Sequence, residues 1–461
     1  MPGRGAPLTV LDKFRLQPGA QVATPDDAEI ERAIASAHAA FRRGAPGPYE
    51  RGLVLERAAA NVEQRADTLI RTMQMEAGFT AADAAGEVRR CVQTLKLSAE
   101  EARRLAGEVI PLAGAPQQSG RLGFTLRVPL GVVLAITPFN SPLNTVAHKI
   151  APAFAAGNAV ILKPASATPL TACRLAEALL DAGLPAGFLS VLPGGAHVAE
   201  RLIADERVRF FAFTGSTEVG RSIQSRAGLR RTQMELGSIA CTILCEDVRL
   251  EAALPKIVNA GYRKAGQVCT SIQLLLVHRS LVPLVEARLG KLVAELPFGD
   301  PGCDKTVVGP LISEKEAARV EAWIEEAVAK GARRLAGGPR DGAVVPPTLL
   351  AGIDASMKVG CQEIFGPVVC IEPFDSLDEA IERVNSTPYG LAAGIFTNRL
   401  DDAFAAARRL EVGGVHVNET SSSRVDLMPY GGSKESGFGR EGPRYAVHEM
   451  TEERIVTFTL S

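Results

Sequence analysis

No block of like charge runs through this chain. Its 51 lysines and arginines stand against 52 aspartates and glutamates, for a formal net charge of −1. That balance excludes the basic face on which nucleic-acid or anionic-membrane affinity rests, while leaving room for a small cluster that holds an anionic ligand. Long apolar runs are missing too. No stretch of about 18 apolar residues offers a membrane span, and Met1 to Leu16 lacks the apolar core of a secretory signal. The eight cysteines, at positions 91, 173, 241, 245, 269, 303, 361 and 370, are scattered rather than spaced as a disulfide framework. Cys241 and Cys245 lack the second pair of a zinc site, and the six histidines show no metal-ligand spacing. A reduced, cytoplasmic protein without a metal is the expectation. What the chain does have is apolar residues, 46% of the total. Its length suits roughly two to four structural units, with enough apolar side chains for a sizeable core.

From Asp26 to about Arg104 apolar and charged residues recur at helical spacing, as in Glu29–Phe41 and Leu53–Met75. Gly107 to Arg127 reads as two extended stretches about the turn Gly114–Gly120, hence a protruding hairpin. Strand and helix then alternate. Gly131–Ile136, Ala159–Leu162, Phe188–Leu192 and Val208–Phe213 are short apolar runs that suit buried parallel strands. Leu143–Ala156, Thr168–Ala182, Ala196–Ala204 and Glu218–Ala227 suit the helices between them. Such alternation predicts an α/β, doubly wound parallel sheet. A second alternating region, from about Gly237 to Arg440, holds strand Gln273–Val277, helix Glu314–Lys330 and strand Val368–Phe374. The end, Arg454–Leu460, alternates and suits pairing with the hairpin. No repeat or low-complexity linker separates the two regions, so they are expected to pack together with a cleft between them.

Several residues carry candidate chemistry. Cys269 lies among small neighbours in Ala265-Gly266-Gln267-Val268-Cys269-Thr270-Ser271, with room for a substrate and backbone donors; alone, it reads as a buried structural thiol. Glu235, flanked by Met234, Leu236 and Gly237, suits a general base of raised pKa, or a helix-end or salt-bridged glutamate. Asn140 follows a strand end, where an amide can donate to an oxyanion, or merely forms an Asx turn beside proline. Lys163 follows a strand end as well, placed for a ribose or phosphate, or simply solvated. Phe213-Thr214-Gly215-Ser216-Thr217 is a strand–turn–helix whose glycine allows close approach of a nucleotide, though it is not a G-x-G-x-x-G turn.

Taken together and in order, Thr137–Pro142, Leu162–Ala165, Phe213–Gly220, Met234–Gly237, Gly266–Cys269, Glu363–Pro367 and Tyr430–Gly437 resemble the motifs of the aldehyde dehydrogenase superfamily over almost the whole chain. The 34-residue separation of Glu235 and Cys269 is also the family's. The resemblance implies NAD- or NADP-dependent oxidation of an aldehyde to a carboxylate. It implies a Rossmann-like cofactor domain (1–106 and 129–236), an α/β catalytic domain (237–440) and a β oligomerisation arm (107–128 and 441–461). It also implies roles: Cys269 as nucleophile, Glu235 as the base that activates water, and Asn140 with the Cys269 amide as oxyanion hole. Lys163 is then the adenosine-ribose ligand, Ser216 a residue near the pyrophosphate and adenine side, Glu363 the nicotinamide-ribose ligand and Phe365 the nicotinamide wall. Thr137, Pro138, Phe139, Ser166, Gly195, Phe213, Gly215 and Leu236 complete the cofactor surface. Ser166 stands where many NAD-preferring relatives carry glutamate, so no carboxylate there repels a 2′-phosphate and both cofactors are expected. A homodimer or homotetramer is implied, with no nucleic-acid or membrane partner. Two departures stand out. An N-terminal hairpin usual in the family is read as missing, and Leu236-Gly237-Ser238-Ile239-Ala240 replaces a Leu-Gly-Gly-Lys-Ser type of pattern.

Gly266–Gln273 together with Arg424–Gly432 resembles the lactaldehyde and phosphonoacetaldehyde dehydrogenase branch, which implies a short hydroxylated or anionic aldehyde. Arg424 and Arg90 are placed for an anionic tail, or form surface salt bridges. Ser141 adjoins the oxyanion donor in a polar mouth. Ser141 and Val268 stand where a phosphonate enzyme would want further His or Arg donors, which weighs against phosphonoacetaldehyde; lactaldehyde is the expected substrate, with phosphonoacetaldehyde or succinic semialdehyde as the alternatives. Glu235 favours hydrolysis over acyl transfer to CoA. A non-catalytic binding protein on this fold need not keep Cys269, Glu235 and Asn140 together.

Overall fold

In the computed structural model, described over residues 3–459, the apolar runs that follow Gly131 form the centre of a six-stranded sheet. Its order is Gly437–Phe438, Arg231–Glu235, Val208–Thr214, Val132–Ile136, Ala159–Lys163, Leu189–Val191. The last five run parallel, and Gly437–Phe438 lies antiparallel at the edge. Val132–Ile136 and Ala159–Lys163 are buried throughout, as strands covered by helices on both faces must be. The chain starts at Val132, winds outward through Ala159 and Leu189, then returns to the other side at Val208. The order thus reverses between Val132–Ile136 and Val208–Thr214, which opens a crevice at their carboxyl ends.

A second sheet runs Arg333–Ala336, Thr348–Ala351, Val368–Phe374, Ile272–His278, Ala240–Leu244, Ala392–Phe396, Gly414–Val417. All its pairings are parallel except that of Arg333–Ala336. Each sheet has its own core. One spans Ile30 to Leu236 and takes in Val447 and Met450; the other spans Ile239 to Leu410. The terminal strand Thr451–Thr459 pairs antiparallel with Arg121–Pro129, which also holds Val109–Ile110. The pairing of chain end with hairpin is therefore present, while Leu460 lies outside the described residues. No helix among the described residues is long and apolar enough to cross a membrane.

Two sequence expectations need correction. An N-terminal hairpin is present: Leu8–Leu11 and Pro18–Val22 pair antiparallel, with Leu8 opposite Val22. Asp12 Oδ1 accepts from the N–H groups of Phe14 and Arg15 to close the turn, and Val10 is buried beneath. Strands this short, with most side chains exposed, carry almost no alternation. The run Leu53–Met75 is two helices, Pro48–Gln64 and Ala66–Ala77, broken at Arg65 (φ −97°, ψ 13°). Neither glycine nor proline marks that break, and the apolar spacing continues across it.

Candidate active site

The first sheet supplies one wall of a cavity of about 520 Å³. Thr137, Pro138, Phe139 and Asn140 come off the end of Val132–Ile136, Gly215 and Ser216 off Val208–Thr214, and Glu235 ends its own strand. Ser216 caps helix Thr217–Ala227, its Oγ accepting from Val219 N–H at 3.4 Å. Gly215 is tight against Phe213: a Cβ there would lie 2.5 Å from the ring. Leu236 packs over Gly220 at the same wall.

The second sheet supplies the opposing wall from its amino ends. Cys269 precedes Ile272–His278, and Glu363 and Phe365 precede Val368–Phe374. The usual rule places sites at carboxyl ends of parallel strands. It holds for the first sheet and is inverted in the second, because the two sheets face each other end to end across the cavity.

The loop that presents Cys269 is conformationally costly. Lys264, Ala265 and Gly266 all have left-handed φ, at 52°, 53° and 68°. A Cβ at Gly266 would sit 2.0 Å from the Gly366 carbonyl oxygen, so only glycine fits. Side chains hold the strained turn in place. Lys264 Nζ donates to Glu87 Oε1 at 2.7 Å and to the Asn140 carbonyl at 3.0 Å. Gln267 Oε1 accepts from Ile312 N–H at 2.9 Å. Phe365 is left-handed too (φ 49°), and its ring meets Phe139 edge-on at 5.8 Å.

Electrostatics separate the groups. Burial pushes the Cys269 thiol up to about 11, against the opposing pull of a hydrogen bond to Tyr430 Oη at 2.8 Å. Both Glu235 oxygens are buried without a partner; burial first, then nearby Glu441, raises that carboxyl well above its usual range. Burial also opposes ionisation of Glu441, but Lys149 Nζ at 3.0 Å and Arg424 Nη2 at 2.8 Å hold it well below the carboxylate range. Burial raises Glu363 to about 7, although its Oε1 accepts from Ser238 N–H at 2.9 Å. Asn140 Nδ2 donates to the Gln267 carbonyl at 2.8 Å. The Cys269 N–H has no acceptor among the described residues.

The cavity gathers Cys269, Glu235, Asn140, Glu363, Phe365, Phe213 and Leu236 with Arg90, Ser141 and Arg424. Lys163, Ser166 and Gly195 lie outside its wall. Lys163 is buried at its strand end, and burial lowers its pKa. Ser166 Oγ donates to the Gly194 carbonyl at 2.7 Å, and Gly195 precedes helix Ala196–Ala204. Arg90 grips Asp426 through two bonds of 2.7 and 3.2 Å. Arg424 lies 3.7 Å from the Tyr430 ring centroid, is paired with Glu441, and leaves its buried Nε without a partner. Ser141 Oγ donates to Glu87 Oε2 at 2.8 Å.

Two residues escaped the sequence reading. Arg263, at the end of helix Leu250–Tyr262, lines the cavity with only Ser422 Oγ as hydrogen-bond partner, at 2.7 Å. Burial and then Arg90 lower its pKa against the opposing pull of Asp83 and Glu87, neither of which forms an ion pair with it among the described residues. Its signal is the Arg263-Lys264 pair six residues before Cys269. Tyr430 opens the Tyr430–Gly437 motif, which by itself gives it no role.

The model of the aldehyde dehydrogenase family matches residues 2–456. The chain belongs to the aldehyde dehydrogenase family. This aldehyde dehydrogenase is 46% identical over 454 residues to the 3-sulfolactaldehyde dehydrogenase of Priestia megaterium, covering 98% of this chain and 95% of that one. Among solved structures, aldehyde dehydrogenase 21 of Physcomitrella patens, in complex with the reaction product succinate, has a TM-score of 0.97 and 39% identity over 100% of this chain and 96% of that one. The glyceraldehyde-3-phosphate dehydrogenase GapN of Methanocaldococcus jannaschii, complexed with NADP, has a TM-score of 0.95 and 34% identity over 99% of this chain and 100% of that one. The enzyme oxidises an aldehyde with a nicotinamide cofactor, and the expected α/β architecture is the family's.

Proposed function

We propose that this aldehyde dehydrogenase acts on a short hydroxyaldehyde with a fixed anion at its far end, 3-sulfolactaldehyde foremost, through a thiohemiacetal and a thioester on Cys269. The observation that carries this reading is Arg263. It is a partly buried guanidinium on the cavity wall near Arg90, with no carboxylate in ion-pair contact among the described residues, Asp83 and Glu87 acting on it only from beyond that distance. A desolvated cation without a partner is costly, and an anionic substrate tail would offset that cost. The 46% identical relative is named for a sulfonated lactaldehyde, which agrees in chemistry. A second reading, succinic semialdehyde, is favoured by the succinate held by the plant enzyme of the same fold.

The residues present fit a dinucleotide. Lys163 and Ser166 would hold the adenosine ribose, Gly215 and Ser216 the pyrophosphate side, and Glu363 the nicotinamide ribose, with Thr137, Pro138, Phe139, Phe213, Leu236 and Phe365 as walls and Gly195 flanking. When bound, an oxidised nicotinamide would supply the hydride acceptor for the oxidation. The protein supplies the rest. The Cys269 thiolate attacks the carbonyl carbon, and the oxyanion is received by Asn140 Nδ2 and the free Cys269 N–H. Glu235, a stronger base for its burial, takes a proton from the water that attacks the thioester, and Sγ departs as thiolate. Lys149 and Arg424 keep Glu441 charged, so of these two neighbouring carboxyls Glu235 is the one left to change protonation state.

The exposed apolar residues Leu122, Leu126, Ile455 and Phe458 lie on the paired strands of the arm and support its role in a homodimer or homotetramer. Free cysteines throughout the described residues agree with a cytoplasmic enzyme. Steady-state kinetics on 3-sulfolactaldehyde, lactaldehyde, succinic semialdehyde, phosphonoacetaldehyde, hexanal and benzaldehyde test the substrate. The anionic hydroxyaldehyde should give the highest kcat/KM. Preference for hexanal or benzaldehyde would refute the anionic site, and no cofactor reduction with any aldehyde would favour a binding protein.

A further inference from the structure

Tyr430 is held more firmly than a pocket wall requires. Its backbone N–H donates to the Glu441 carbonyl at 3.1 Å, and the Glu441 N–H returns a bond of 2.7 Å. Its ring is buried, and the Arg424 guanidinium stacks on it with Cζ 3.7 Å from the centroid. The result fixes Oη 2.8 Å from Cys269 Sγ. A phenylalanine would give the same wall and the same stack, so the hydroxyl itself is what remains to be explained.

We propose that Tyr430 is a further catalytic residue, whose hydroxyl donates to Cys269 Sγ and stabilises it as a thiolate both when it attacks the aldehyde and when it leaves the thioester. The inference rests on Cys269 as the nucleophile. A neutral thiol is a weak acceptor, whereas a thiolate takes a charge-assisted bond roughly twice as strong. The bond therefore favours ionisation, is lost when sulfur is acylated, and is regained as the thiolate departs. No proton is transferred. Burial keeps the Tyr430 hydroxyl protonated, far above its ordinary range, so it stays a donor at any working pH. The other groups that face Sγ partly cancel: Glu235 and Glu363 disfavour the thiolate, and Arg424 favours it. Among the described residues, Tyr430 is the one group in direct hydrogen-bond contact with the sulfur.

The test is the rate of Cys269 alkylation by iodoacetamide in the full-length enzyme, followed by mass spectrometry across pH, for the parent and Tyr430→Phe. Loss of a charge-assisted bond should raise the apparent thiol pKa by roughly one to two units. A less acidic thiolate is also more nucleophilic, which recovers about half of that effect on a logarithmic scale. The net expectation is alkylation roughly three- to tenfold slower below the pKa, with the profile displaced to higher pH. An unchanged or faster rate, or an unmoved profile, overturns the proposal. Misfolding does not mimic the expected result, since an exposed cysteine titrates near 8.5 and reacts faster. Turnover of Cys269→Ala tests the nucleophile separately: retained turnover would sink that reading while leaving the Tyr430 hydrogen bond measurable.

Discussion

Of the cavity's three substrate-side arginines, Arg263 is the one that can be removed cleanly. Arg424→Ala would strip Glu441 of one of its two cationic partners, and Arg90→Ala would loosen Asp426. Either change disturbs the site for every aldehyde. Arg263 leaves behind the Ser422 hydroxyl, which can turn to water, and Asp83, which keeps its hydrogen bonds from Thr80 Oγ1 and the Lys264 N–H. Arg263→Met keeps much of the stem volume and deletes the charge. A hydrogen bond to a charged group is worth about 1.5–3 kcal/mol, so kcat/KM for 3-sulfolactaldehyde should fall roughly 10- to 150-fold. Lactaldehyde differs from that substrate only by the sulfonate, and its kcat/KM should change by less than about twofold, since it has no tail for a guanidinium to hold. The assay is cofactor reduction followed by absorbance with both aldehydes at subsaturating concentration. An equal loss on the two substrates would show that Arg263 shapes the site without reading the anion, and no loss on either would remove it from the substrate wall.

Glu235→Gln should stall deacylation, with turnover down roughly 10²–10⁴-fold and an acyl adduct on Cys269 in mass spectra of the quenched enzyme; intact turnover without adduct would refute its role as base. Because burial raises both Glu235 and the Cys269 thiol, the latter to about 11, and both act deprotonated, kcat/KM should climb as pH rises from 7 towards 10, and a profile falling with pH would contradict the assignment. Ser166→Glu should weaken NADP⁺ while sparing NAD⁺, because a carboxylate repels the 2′-phosphate; equal losses would place residue 166 away from the ribose. Sedimentation at micromolar concentration should find a dimer or tetramer, and Ile455→Asp, at an exposed position of the arm's terminal strand, should shift it towards monomer; a monomeric parent enzyme would contradict the arm's role.

Much of this protein was legible because its signals are local. Buried parallel strands must be apolar on both faces, so Val132–Ile136 and Ala159–Lys163 stood out as runs, and Val368–Phe374 matched its run end to end. Residues that follow a strand were readable as site candidates for the same reason, which is how Asn140 and Gly215 became candidates, whereas Ser216 entered through the family's motif. Cys269 and Glu235 were legible only through their order among the other motifs. The N-terminal hairpin and the break at Arg65 were not legible, since neither exposed short strands nor an unmarked helix break alters apolar spacing. The partners of charged groups were the tertiary structure's decision. Arg90 meets Asp426 across 336 residues of chain, Lys149 meets Glu441 across 292, and Tyr430 reaches Cys269 across 161. Sequence spacing constrains neighbours a few residues apart; which cation is neutralised and which is left for the substrate depends on how two sheets meet end to end. Arg90, Arg263 and Arg424 look alike in sequence, and only the folded cavity leaves Arg263 without an ion-pair partner among the described residues.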